Sequence, residues 1–229
     1  MANVVVGGLG GRVTWAWIAL VVAVVAGAAG YAFRVPPASA AWLVVVLAYV
    51  VLAAAALVRL GRAGKLRELL AFRRGDPTLG ILLGLTQLGA AWVVAKLLVP
   101  ADSPQRAWLM RVFLLNGESS EVSVSLMLLL LVACEEIVWR GLVQGELREA
   151  LGPRRCWIVA SVLYAAAHLP TLVTLSDPAA GYNPLLVLAA LGCGLCWGFL
   201  AEKSGRLIPG LFAHGVFTYF AAQSFWLFV

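Results

Sequence analysis

Charge is what this 229-residue chain has least of. Asp, Glu, Lys and Arg make up 12% of it, whereas 62% falls in the apolar set that runs from Ala to Trp, Tyr and Cys. Soluble domains carry about 25% charged and about 45–50% apolar residues, so a water-soluble globule, a disordered chain and a coiled coil are excluded. The sequence has no Gly-x-Ser-x-Gly, the turn that presents a hydrolase serine, and no His-Glu-x-x-His, the helical zinc-protease pair. It has no internal repeat, which argues against an inverted-repeat transporter. Four cysteines, mostly inside apolar runs, do not make a secreted disulfide framework. The net charge of +6 fits membrane topology better than phosphate binding, and no nucleic-acid partner is expected.

What is present is length and oiliness enough for an all-α integral membrane protein, a single polytopic domain over residues 1–229. A helix needs about 20 apolar residues to cross a bilayer. Seven stretches qualify: 15–33, 40–58, 78–99, 122–143, 156–175, 184–201 and 207–229. The first is read as an uncleaved span, because its apolar run exceeds the ~7–15 residues of a signal-peptide core. With seven alternating spans, twelve Lys and Arg residues fall on one side and three on the other, with Lys96 and Arg140 inside spans. Basic residues gather in cytoplasmic loops, which predicts a cytoplasmic N-terminus. The Ala, Val, Gly and Arg content and the short loops suit a prokaryotic inner membrane. The basic connector 61–74 is predicted to lie as an interfacial helix on the cytoplasmic leaflet, and 108–115 along the opposite interface.

Ionisable groups inside apolar runs carry the functional information. Each Asp, Lys or Arg at a span centre costs about 2.5–3.5 kcal/mol on insertion, so such groups face a bundle interior and usually serve a purpose. Lys96, near a span end, can snorkel. There remain Glu135, Glu136 and Arg140 in the fourth span, His168 in the fifth and His214 in the seventh, the two histidines being the only ones in the chain. At 1.5 Å per residue, Glu135, His214 and His168 lie about 12, 10 and 18 Å from the cytoplasmic side, so one polar layer can hold all three. Glu136 and Arg140 are i,i+4 and can pair. Glu135 points about 100° away from them, which leaves it as the free carboxylate and the candidate general base. Tyr164 with His168, and His214 with Thr218, are further i,i+4 pairs. Pro170 is predicted to kink the fifth span beside His168. Cys193 and Cys196 form a Cys-x-x-Cys, but with Gly194 and Gly198 on the same helix they read as close packing rather than redox chemistry.

The stretch Glu135-Glu136-Ile-Val-Trp-Arg140-Gly141 resembles the EExxxRG motif of the CAAX prenyl endopeptidase and bacteriocin-processing (CPBP) membrane protease family, of the Ras-converting-enzyme type. Tyr164-Ala-Ala-Ala-His168 is similar to that family's second motif, and Arg206 through His214 to its third. The likeness covers roughly 122–229, which would be a catalytic core formed by the last four spans around a polar cavity. It implies a glutamate-dependent intramembrane endopeptidase without a cofactor or metal. In it Glu135 activates the attacking water, His168 helps to hold that water, and His214 with Thr218 stabilises the oxyanion. Glu136, Arg140 and Tyr164 support them. The chain departs from the family at Thr218, where Asn is frequent; a hydroxyl offers one donor and an amide two. The implied partners are the bilayer and a membrane protein, or a lipidated or terminally tagged peptide, as substrate. Three other readings remain open: a Glu/His metal site, a proton-coupled membrane protein, and a non-catalytic membrane immunity or partner protein.

Overall fold

The computed structural model describes residues 15–34, 39–100, 102–116 and 122–223. Arg12 and the end of the seventh predicted span, 224–229, lie outside the described residues. All regular structure among those described is helical: α1 (Trp15–Ala32), α2 (Ser39–Arg62), α3 (Leu66–Leu69), α4 (Asp76–Leu98), α5 (Arg106–Asn116), α6 (Val122–Glu136), a π-helical stretch (Ile137–Val143), α7 (Gln144–Leu151), α8 (Cys156–Ala167), α9 (Thr171–Thr174), α10 (Leu185–Ser204) and α11 (Ile208–Gln223). Among the described residues four stretches are long and apolar enough to cross a membrane, Trp15–Ala32, Leu43–Arg62, Asp76–Leu97 and Leu185–Ser204, and Cys156–Ala167 and Ile208–Ala222 are shorter apolar helices.

Two predicted spans are not simple α-helices. The fourth changes to the wider π winding at Ile137 and returns to α only at Gln144. The fifth stops at Ala167, makes a tight turn through His168 and resumes as the single turn α9. Pro170 accounts for the break, since it has no N–H to donate back and disfavours helical backbone in the residue before it. The turn is closed instead by Thr171, whose N–H and hydroxyl both donate to the His168 carbonyl, at 2.9 and 2.7 Å.

The basic connector after α2 is less of an interfacial helix than its composition predicts. Only Leu66–Leu69 is helical. Its cation Lys65 pairs with Glu149 at 2.7 Å, Arg59 at the end of α2 pairs with buried Glu146, and the Leu69 carbonyl accepts the Leu207 N–H at 2.8 Å. The segment thus ties α2 to α7 and to the start of α11 rather than only resting on lipid.

The helix carrying His214 is seated mainly by α4. Asp76, buried at the first turn of α4, pairs with Arg206 at 3.0 Å. One helical turn on, Gly80 and Gly84 let the two backbones approach: a Cβ at Gly80 would come within 2.5 Å of the Pro209 carbonyl, and one at Gly84 within 2.7 Å of the Ala213 carbonyl. Small residues four apart are the usual device for close helix contact in a bilayer. Gly194 and Gly198 serve α10 in the same way, facing Ser161 of α8. Gly84→Ala should therefore lower stability in detergent by about 1–3 kcal/mol, the range for overpacking. Gly89→Ala, at a position with open space around it, should leave the thermal midpoint unchanged or raise it.

Candidate active site

Side chains from α6, the π stretch, α8, α10 and α11 meet at one buried point. Glu136 sits at its centre, with 0% of its surface exposed. Its Oε1 lies 3.2 Å from Arg140 Nη1 and 2.9 Å from His214 Nδ1. The opposite oxygen, Oε2, points at the Cα of Gly210, where any Cβ would stand 2.8 Å away. A carboxylate out of water needs its charge compensated on the spot, and here a guanidinium and an imidazole do so together. Glu136 is therefore more than one half of an i,i+4 pair, because it also fixes one edge of His214.

Arg140 is held from several directions. Its guanidinium lies 4.9 Å from the Tyr164 ring centre and 5.2 Å from that of Trp197, a cation–π arrangement. Its Nη2 donates to the Gly194 carbonyl at 3.4 Å. The wide π winding carries Arg140, and such windings often occur at functional positions.

Glu135 has a different environment. It is 7% exposed, and its Oε2 accepts the Tyr164 hydroxyl at 2.6 Å, the short length of a charge-assisted bond. His214 Nε2 lies 3.6 Å from the same oxygen. Arginine pairs with the neighbouring carboxylate instead. His214 thus bridges two glutamates, one at each ring nitrogen, and its plane stacks on Trp197 at 3.7 Å and 19°.

His168 adjoins this group through Tyr164. The two rings meet edge to face at 4.8 Å, and His168 Nδ1 lies 2.8 Å from the Tyr164 carbonyl. A carbonyl only accepts, so Nδ1 carries the proton here, and in that tautomer Nε2 is the acceptor. Among the described residues no hydrogen bond joins His168 to Glu135, and none joins Thr218, half-buried one turn beyond His214, to the cluster. No three His, Cys, Asp or Glu side chains among the described residues converge as a metal site requires.

Reasoning from ionisable residues overlooks the neutral groups. Tyr49, on α2, accepts the Trp139 indole N–H at 3.1 Å, and Trp139 meets Tyr164 edge to face at 5.3 Å. Gln87, on α4, accepts the Trp197 N–H at 2.9 Å. A lone amide in the apolar run of α4 was the available signal for Gln87. Nothing local marks Tyr49 or the two tryptophans.

The segment that holds Glu135, Glu136, Arg140, Tyr164, His168, Trp197, His214 and Thr218 coincides with a match to a known family. Residues 118–220 fit the family model described as Type II CAAX prenyl endopeptidase Rce1-like. No curated protein and no solved structure matches the chain. That fit lies over a buried acid and histidine cluster, so the segment 118–220 is similar to the Rce1-like CAAX proteases, and the apolar helices make the protein an integral membrane protein.

Proposed function

We propose that the protein is a glutamate-dependent intramembrane endopeptidase, which cleaves a peptide bond in a membrane-associated substrate with water activated by Glu135. One observation supports the reading: among the described residues no arginine pairs with the buried carboxylate of Glu135, and an imidazole nitrogen lies 3.6 Å from it. Tyr164 donates to Oε2 and Tyr49 also lies against this carboxylate, which holds it in place to take a proton from water. The hydroxide adds to the scissile carbonyl carbon and the carbonyl π pair moves onto oxygen. Glu135 then passes the proton to the leaving nitrogen as the C–N bond breaks. The acceptor Nε2 of His168 suits a water-holding role. Nε2 of His214, when protonated, can donate to the oxyanion, a contact whose loss typically costs about 2.7–4 kcal/mol.

Glu136 and Arg140 act as the mount for His214 in this scheme. Thr218, without a bond to His214 among the described residues, has at most the duty of a second oxyanion donor. The substrate is a membrane protein or a lipidated or terminally tagged peptide, met from an inner membrane in which the N-terminus faces the cytoplasm. The bias of twelve basic residues to three supports that orientation.

Glu135→Gln and His168→Ala should each lower cleavage of the cellular substrate at least about 100-fold, the low end of general acid–base contributions, while the protein remains inserted. Comparative proteomics of membranes from cells carrying wild-type protein or Glu135→Gln would identify the substrate, and a variant with near wild-type turnover would refute the assignment. Gly210→Ala should displace the Glu136 carboxylate and lower turnover with little change in membrane insertion. Thr218→Ala should be the mildest of these, and Thr218→Asn should keep or raise the rate.

A further inference from the structure

A single hydrogen bond at Nδ1 does not fix an imidazole. With only the 2.9 Å contact to Glu136, the His214 ring could rotate its plane and carry Nε2 away from Glu135. Trp197 removes that freedom, because its indole lies against the ring at 3.7 Å with planes only 19° apart. An indole on its own rotamer would also be free to turn. Its N–H is tied to Gln87 Oε1 at 2.9 Å, and both side chains are buried.

Gln87 is itself placed by the contact that seats α11. It lies seven residues after Gly80 and three after Gly84, spacings that put all three on one helical face. The face that brings α4 against the Pro209 and Ala213 carbonyls therefore also directs an amide at Trp197. Gln87 belongs to α4, which lies outside the matched segment 118–220.

We propose that Gln87 and Trp197 are positioning residues: the amide locks the indole, the indole locks the plane of His214, and Nε2 is thereby held toward Glu135. The proposal rests on the endopeptidase reading for its effect on rate, and on geometry alone for its effect on the ring. Breaking the lock should lower kcat and leave KM near its wild-type value, because substrate is not touched.

The test uses the full chain in detergent or nanodiscs, with the near-isosteric Gln87→Met and with Trp197→Phe, which keeps an aromatic face but loses the N–H. Each should lower kcat about tenfold, the size of one lost buried hydrogen bond. The double variant should be no worse than either alone, since both remove the same bond. Trp197→Leu, which also removes the stack, should lose more. Nitrogen-15 NMR of the two histidine rings, assigned with His168→Gln, supplies a readout independent of cleavage. The wild-type His214 signal should be single and sharp, and Gln87→Met should broaden or split it. Unchanged His214 signals in Gln87→Met and Trp197→Leu would overturn the proposal, as would losses of kcat that simply add. A wild-type protein that cleaves nothing but whose His214 signal responds to Gln87→Met would refute the endopeptidase reading and leave the lock standing.

Discussion

A carboxylate with no exposed surface, in a chain that crosses a bilayer, has to be neutralised where it stands, and much of this structure follows from how Glu136 meets that demand. Arg140 supplies the cation from the same rod, and His214 supplies a donor from another. Because Arg140 is committed to Glu136, Glu135 meets phenols and the far edge of the imidazole instead, Tyr164 and His214 on Oε2 and Tyr49 beside them. Two adjacent glutamates thus acquire different characters from one guanidinium. The aromatic walls around Arg140 belong to the same solution, since they offer the cation a polarised face where water would otherwise be needed.

The chain divides its labour between its two halves. Residues 118–220 hold every acid and histidine of the site and match the Rce1-like family. The preceding helices supply neutral supports: Tyr49 from α2 beneath Trp139, and Gln87 from α4 beneath Trp197. They also supply seating, with Gly80 and Gly84 against α11 and with Gly30 of α1 close to Pro170 at the break beside His168, where a Cβ would stand 3.2 Å away. The break is useful to the site because it places His168 at a helix end, where the main chain can clamp it from both sides.

Hydropathy is sufficient to find the four membrane-length helices among the described residues, because burial in lipid is a property of composition summed over about 20 residues. Spacing was sufficient to pair Glu136 with Arg140, because both lie one turn apart on one rod. What could not be read were the partnerships across rods. Spacing along one helix relates His214 only to Thr218, its neighbour at i+4, and says nothing of the bond from its Nδ1 to Glu136 on another helix. The π winding escaped for a similar reason: the run Ile137–Val143 has no glycine pair or proline to betray it, and it reads as ordinary apolar helix. The wholly buried side chains at Val138, Trp139 and Val143 show that packing from several neighbours accompanies the wider turn.

That wider turn makes this rod a joint between two registers. Above it the glutamates face α8 and α11; below it Gln144 donates to the Gly198 carbonyl of α10 at 2.9 Å. Each residue added or removed in a helix rotates whatever follows by about 100°. A π turn takes up more residues than an α turn, so the stretch Ile137–Val143 absorbs chain that ordinary winding would convert into rotation. It acts as a phase shifter, keeping the two ends of the rod in step while Arg140 is presented from the wider turn between them.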